Sequence, residues 1–260
     1  MSMRGWARAV VPPLMPLAAV TLGVELAVRQ GWVRAFLVPA PSTVARTMLA
    51  EAARLRDLTL DTTAAALTGF GLSVVVGVAI AVLLSSAVWV QRAFYPYAVF
   101  FQTVPIIAIA PLLVIWLDFD RTVRASAFIV SVFPVIANTL AGLLATDPAL
   151  RDLFRLYGAG RASTLWKLRL PYALPSIFTG LRVAAGLAVV GAIVGEFITG
   201  TGLGGDILVA RQQQRVDKVF ADLLLSAVLG IALFVLINLA SRLTLRRWHA
   251  SESPVDHRGR

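Results

Sequence analysis

Six long runs of apolar residues decide what this chain can fold into. They are residues 10–28, 64–90, 93–117, 125–146, 172–199 and 223–241. Most of them reach the roughly 20 residues that a helix needs to cross the hydrocarbon core of a bilayer. With 58% hydrophobic and only 15% charged residues, the chain lies outside the range of soluble domains of its length. The sequence therefore predicts an all-α membrane protein with six transmembrane helices.

The first run, 10–28, is the weakest of the six because it carries three prolines and Glu25. A cleaved signal peptide is the alternative interpretation, with Arg4 and Arg8 as its basic segment. The prolines lie early in the run, and no cleavage site of small residues is clear. An uncleaved first span is therefore the favoured interpretation.

The distribution of positive charge argues for membrane orientation and against binding of nucleic acid. The net charge is +10, but lysine and arginine cluster at the ends of the apolar runs instead of forming a stripe on one helix face. Six spans place both termini on one side, together with a polar segment at 147–176. That side holds 14 of the 24 basic residues. The excess predicts that both termini and the segment 147–176 are cytoplasmic.

The polar segment 147–176 predicts a short helix with an apolar edge. Asp147 is a good N-cap, and Pro148 fits the first helical position because its missing N–H costs nothing there. Four apolar residues then recur at helical spacing and form one stripe. They are Leu150, Leu153, Phe154 and Tyr157. Gly158 ends this helix, and a second short run is expected to end against Leu170-Pro171. Such an exposed edge requires a partner groove.

This segment also resembles the cytoplasmic loop of ABC importer permeases, in which a coupling helix docks into a cleft on an ATPase subunit. In that family an acidic residue and two alanines precede a glycine, and an aliphatic residue and Leu-Pro follow at a fixed distance. Leucine and phenylalanine stand here at the two alanine positions. The resemblance implies that the residues coupling this chain to an ATPase are Asp152, Leu153, Phe154, Tyr157, Gly158, Ala159, Leu168, Leu170 and Pro171.

The similarity extends over residues 38–246. The stretches 100–116, 133–142, 174–182 and 195–205 resemble the subfamily that imports nitrate, sulfonates, taurine and pyrimidine precursors. The resemblance implies a type I (MetI-like) permease fold, a single permease domain over 1–260, and a place in the bacterial inner membrane. It also implies three partners, namely an ABC ATPase, a solute-binding protein and a second permease subunit, with a homodimer expected. The polar tail 247–260 is expected to be disordered.

Two copies pair in such permeases, and small-residue faces on the second and fifth runs are compatible with close helix packing. Those faces carry Gly69, Gly77, Gly186 and Gly191.

The sequence offers no catalytic residues, no metal site and no cofactor site. It has no cysteine, and His249 and His257 both lie in the tail. Neither Lys167 nor Lys218 follows a glycine-rich phosphate loop, so ATP hydrolysis is expected on another polypeptide. An ATP-independent secondary transporter is the alternative function, but it predicts related halves and buried midplane charges, and neither is found. A membrane-embedded enzyme would need a nucleophile motif that is also missing.

Polar residues inside the spans are candidates for the lining of a pathway, because polar groups in lipid are costly and tend to face a cavity. They are Gln102, Thr103, Asn138 and Glu196. Hydrogen bonding between neighbouring helices is the alternative role for each. Glu196 precedes a glycine-rich turn and is predicted to brace an outer gate or to contact a solute. The brace is favoured, because a carboxylate is a poor contact for an anion.

The segment 30–61 between the first two runs is too polar to lie in lipid. It predicts an amphipathic helix at the outer surface, with Ser42 as its N-cap. This helix is interpreted either as a solvated connection or as a surface that contacts a delivering protein. Glu25 is expected to pair with Arg29 one turn later.

Overall fold

Helices form almost all of the described chain. The computed structural model describes residues 3–245, and it describes the side chains of residues 15–100 and 102–245. The helices are α1 (Met3–Arg29), α2 (Pro41–Ala50), α3 (Ala52–Leu84), α4 (Val88–Thr103), α5 (Ile106–Trp116), α6 (Phe119–Leu144), α7 (Pro148–Leu156), α8 (Arg161–Thr164), α9 (Leu170–Thr199), α10 (Gly202–Gln212) and α11 (Val216–Leu245). A π-helical turn, Leu165–Arg169, joins α8 to α9. The tail 247–260, predicted to be disordered, lies outside the described residues.

Four helical stretches in the described part are long and apolar enough to cross a membrane. They are α3, α6, α11 and the continuous stretch Arg161–Thr199, and they coincide with the second, fourth, sixth and fifth apolar runs. The first run lies within α1. The third is divided between α4 and α5, because the backbone is extended at Val104 and Pro105. A proline disfavours helical backbone in the residue before it, so the run is interrupted there.

Helices α6 and α9 form the centre of the bundle and pack closely through glycines. Gly142 lies on α6, and Gly180, Gly191 and Gly195 lie on α9. A β-carbon added to Gly191 would lie 2.6 Å from the carbonyl oxygen of Ser126 on α6. Lipid tails are as apolar as leucine, so association of helices in a bilayer depends on such close backbone packing.

Helix α3 also packs against α6, again through small residues. A β-carbon at Gly69 would lie 2.5 Å from that of Ala127, and one at Gly77 would lie 2.8 Å from that of Val135. Gly69, Gly77 and Gly191 therefore pack inside the chain, against α6. The small-residue faces expected from the sequence serve this packing, and only Gly186 of the four has no atom within 4 Å of an added β-carbon.

Helix α2 lies at the end of the bundle where α3 and α11 begin. It buries Val44 against Leu55 and Ala221, which confirms the predicted amphipathic helix. The prediction that Ser42 caps it is wrong, because Ala40 occupies the N-cap position. The Ser42 N–H instead donates to the carboxylate of Glu25 at 2.9 Å. That carboxylate also binds Arg29 Nε at 2.7 Å, which confirms the predicted pair.

Candidate functional site

Helix α7 is fixed at both ends by local hydrogen bonds. The Asp147 carboxylate accepts a hydrogen bond from the Ala149 N–H at 2.8 Å, as the N-cap prediction required. At the other end Gly158 adopts a left-handed backbone with φ of +70°. The Gly158 N–H donates to Arg155 O and the Ala159 N–H to Phe154 O, both at 2.9 Å. These two bonds form a complete Schellman motif, which explains why the loop needs a glycine at this position.

The solvent-exposed face of α7 is apolar and packs against no other residues of the described chain. None of its residues is buried. The exposed large apolar side chains on and next to the helix are Leu150 (38%), Leu153 (45%), Leu156 (84%) and Tyr157 (83%). We call these four residues the coupling surface. Phe154, which the sequence placed in the same stripe, is half-buried, and Asp152 is exposed with Arg155 Nη1 at 3.3 Å. Grouped apolar patches of this kind are typical of surfaces that bind a protein or a membrane.

The loop continues into the fifth span without a break. The expectation that the second helical run ends against Leu170-Pro171 is wrong. The π turn carries an i to i+5 hydrogen bond from the Leu170 N–H to Leu165 O, so Pro171 falls in the first turn of α9. Pro171 has no N–H to donate, so the hydrogen-bond pattern of the stretch changes at this point, where the π turn lies. Residues Arg161–Thr199 thus form one helical stretch of 39 residues, with Leu168 buried at the joint.

Arg169 ties this joint to the ends of two other spans. Its guanidinium donates to Leu143 O near the end of α6 and to Ser85 O at the end of α3, each at 3.3 Å. The last carbonyls of a helix lack partners within the helix and carry its negative dipole end, so a cation is favourable there. The sequence analysis missed this role, because Arg169 lies 84 residues from Ser85.

The polar residues predicted to line a pathway lie in different surroundings. Gln102 and Thr103 are exposed at the end of α4, next to the break before α5. Asn138 is half-buried, its Nδ2 donates to Pro134 O at 2.9 Å, and its β-carbon lies against Gly180. Gly180 precedes Glu196 by about 24 Å along α9, at 1.5 Å per residue, so Asn138 and Glu196 do not share one site.

Glu196 is 2% exposed and holds the turn between α9 and α10. Its Oε1 accepts a hydrogen bond from the Thr62 hydroxyl at 2.7 Å, and its Oε2 accepts one from the Gly204 N–H at 2.9 Å. The Thr62 hydroxyl oxygen in turn lies 3.1 Å from the Leu203 N–H. A β-carbon at Gly202 would overlap the carboxylate, which explains the glycine there. These contacts are those of a brace, and contact of Glu196 with a solute stays a prediction.

An ionic network at the same end of the bundle was not predicted. Lys218 is 3% exposed, and its ammonium lies 2.9 Å from Glu51 Oε2 and 3.2 Å from Asp206 Oδ2. Arg54 binds Asp206 and Arg215 binds Glu51, at 2.5 and 2.7 Å. The network joins the start of α3 to α10 and α11. The pairs that join α3 to α10 and α11 are more than 150 residues apart, so no local sequence pattern signals them.

Acid is expected to remove the stability that Glu51 contributes. Hydrogen bonds from Lys218 and Arg215 hold the pKa of Glu51 below its ordinary value of 4.5. Because the pKa is lower in the folded state, this contribution is complete above about pH 4.5 and is lost as the pH falls through the folded pKa. We expect Glu51→Gln to cost about 2 kcal/mol at pH 7, and to cost much less near pH 3.

Melting curves of the purified protein across this pH range check the prediction. Asp57→Asn is the control, because the Asp57 carboxylate is 62% exposed and pairs with the neighbouring Arg56. An equal loss from Glu51→Gln at pH 7 and pH 3 would contradict the assignment.

Comparison with known proteins identifies the family. Residues 73–248 match the family described as binding-protein-dependent transport system inner membrane component. The chain is 34% identical over 207 residues to the formylaminopyrimidine transport permease ThiX of Halalkalibacterium halodurans, covering 78% of this chain and 82% of ThiX. It is 33% identical over 221 residues to the riboflavin transport system permease RibX of Chloroflexus aurantiacus, covering 84% of this chain and 82% of RibX.

The fold is also that of a solved ABC importer. An inward-facing form of the MetNI methionine ABC transporter matches 75% of this chain and 96% of the solved chain, with a TM-score of 0.61 and 18% identity. At that identity the likeness establishes the fold alone, and it confirms the predicted MetI-like permease architecture. Membership of a binding-protein-dependent family decides against the alternative of a secondary transporter. The chain belongs to the inner membrane component family of binding-protein-dependent transport systems, and it is a transmembrane permease subunit of an ABC importer.

Proposed function

We propose that a separate ATPase subunit binds the coupling surface and drives import through this chain. The observation that carries this proposal is the exposed apolar face of α7, which a hydrogen-bonded turn of four residues joins to the 39-residue stretch that contains the fifth span. Movement of α7 by the ATPase would be passed through this turn to α9. The positions of the motif residues support the proposal, since Gly158 ends α7 and Leu168, Leu170 and Pro171 lie at the joint.

The coupling surface is proposed to face the cytoplasm of a bacterial cell, with both termini on the same side. Arg182 Nη2 donates to Ser241 Oγ at 2.8 Å, so the C-terminal half of α11 lies beside the α7-proximal half of α9. The excess of basic residues on this side supports a cytoplasmic location. The opposite end, with α2 and the Glu196 brace, is then the place where a solute-binding protein delivers its solute.

The solute is proposed to be a pyrimidine-type nutrient. The two relatives are named for formylaminopyrimidine and riboflavin, both planar nitrogen heterocycles. A small anion of the nitrate, sulfonate or taurine kind is the second candidate, because other relatives, 26–31% identical, are named for aliphatic sulfonates, taurine and nitrate. Gln102 and Thr103, exposed beside the helix break, are the residues we propose to face the pathway, together with a second copy of the chain.

Uptake into proteoliposomes tests the proposed function. The permease is reconstituted with its ATPase subunit and binding protein, and uptake of a labelled aminopyrimidine is measured with and without ATP on the ATPase side. Since the chain has no cysteine, a Leu156→Cys variant and an impermeant maleimide report its orientation in the vesicles. We expect uptake only with ATP, the ATPase and the binding protein. Equal uptake by the permease alone would contradict the proposal.

A further inference from the structure

A cavity of about 740 Å³ lies behind α7, on the side away from the coupling surface. The loop between α3 and α4, the end of α6 and the start of α9 complete its wall. Four arginines line it, namely Arg151, Arg155, Arg161 and Arg169. No carboxylate is found among the lining residues in the described part of the chain. The cavity is therefore strongly cationic.

Only some of the N–H groups of these arginines donate hydrogen bonds to other residues. Arg169 binds the two helix-end carbonyls described above, and Arg155 has the exposed Asp152 at 3.3 Å. Arg151 Nε is buried without a hydrogen-bond partner, and Arg161 forms no ion pair within the described residues. The like charges of Arg151 and Arg169 repel each other. An anion in the cavity would relieve this repulsion and accept the unused hydrogen bonds.

A largely apolar groove along α4 adjoins the cavity. This second cavity, of about 470 Å³, shares Val88 and Gln91 with the first, is also lined by Arg92, and runs past Tyr95 and Pro96. Trp89 beside the junction is 70% exposed. Tryptophan is enriched at the interface between membrane and water, so the junction lies at the depth of the lipid headgroups. A cationic chamber thus opens into a groove that enters the membrane.

We propose that this joined cavity binds an anionic phospholipid, with the phosphate among the arginines and an acyl chain along α4. Basic pockets between helices on the cytoplasmic side suit anionic headgroups. A soluble phosphate, or an acidic segment of the ATPase, would use the arginines but leave the groove empty. The bound phosphate would fix α7 against the ends of α3 and α6. The assignment to the cytoplasmic leaflet rests on the proposed function.

Lipid binding to the purified permease alone tests the proposal. Native mass spectrometry measures retention of phosphatidylglycerol and of phosphatidylcholine with the same acyl chains. We expect phosphatidylglycerol to bind at least about tenfold more tightly. Each guanidinium near an anionic headgroup contributes about a factor of five, so Arg151→Gln with Arg161→Gln should weaken binding about twenty-five-fold. The exposed Arg161→Gln alone should weaken it about fivefold without a risk to folding.

The matched control is Arg46→Gln with Arg211→Gln, which removes the same charge from exposed arginines outside the cavity. Equal weakening by both double variants would overturn the proposal, because the effect would then reflect net charge. Binding of inorganic phosphate as tight as that of phosphatidylglycerol would overturn it in favour of a soluble anion. Displacement of the lipid by added ATPase would assign the cavity to that protein. The binding measurement needs no nucleotide or binding protein, so its failure is distinguishable from failure of ATP-dependent uptake.

Discussion

Replacing Leu153 with aspartate is expected to abolish ATP-dependent uptake while the permease still folds. Leu153 lies near the middle of the coupling surface and is 45% exposed, so its loss removes few contacts within the chain. A charged carboxylate would have to be desolvated in an apolar cleft of the ATPase. Central apolar residues of an interface contribute 2 kcal/mol or more, which corresponds to about thirtyfold weaker binding. Co-purification of the ATPase and its affinity for the detergent-solubilised permease measure this effect.

The control for this variant is Leu49→Asp. Leu49 is 79% exposed and lies on α2, at the opposite end of the bundle. Its replacement makes the same chemical change on another short surface helix, and we expect the ATPase to bind normally. Unchanged ATPase affinity in Leu153→Asp would refute the assignment of the coupling surface. A similar loss in both variants would show that the change acts through general destabilisation.

Replacing Gly191 with valine is expected to cost about 3 kcal/mol of stability, because the side chain would be forced between α9 and α6. Its β-carbon would lie 2.6 Å from Ser126 O and 2.9 Å from the α-carbon of Ala127. Both are backbone atoms, so neither can rotate away. For a chain of this size the loss corresponds to a fall in Tm of about 10 °C. Thermal unfolding of the detergent-solubilised protein, followed by loss of monodisperse material, measures it.

Gly186→Val is the matched control on the same helix. No atom lies within 4 Å of a β-carbon placed at Gly186. The two variants thus make the same change in helix propensity and in hydrophobicity, and they differ only in packing. We expect the Tm of Gly186→Val to stay within about 2 °C of the original, consistent with a cost below 1 kcal/mol. Equal loss of stability in the two variants would mean that close α6–α9 packing is not what the glycine provides.

The spans could be predicted because their signal is local. An apolar run of sufficient length has few alternatives to a membrane helix, and four runs became long helices, each of which begins 6 to 12 residues before its run. The α7 caps were equally predictable, since Asp147 and Gly158 act on backbone groups within a few residues. The prediction of a helix end at Leu170-Pro171 was wrong, although it rested on an equally local rule, namely that proline usually ends a helix. A π turn there shifts the hydrogen-bond register, and the sequence carries no separate signal for it.

The long-range contacts could not be predicted from one sequence. Glu196 is joined to Thr62 across 134 residues, and Lys218 binds both Glu51 and Asp206. In the sequence, each of these residues is an ordinary polar group near the end of a span, and nothing near it indicates its distant partner. The sequence also could not identify the helix that packs against the small-residue faces. A glycine indicates that another helix comes close to it, but it does not indicate which one. That information is present only once α3, α6 and α9 are packed together.

The unbroken stretch Arg161–Thr199 makes the chain a lever. Its 39 residues span about 58 Å at 1.5 Å per residue, so a tilt of about 10° at the ATPase end sweeps the far end through about 10 Å. The far end is the Glu196-braced turn. A displacement of this size exceeds the width of a small solute. Under the proposed function, an ATPase bound at the coupling surface would thus move the outer mouth of the pathway without touching it.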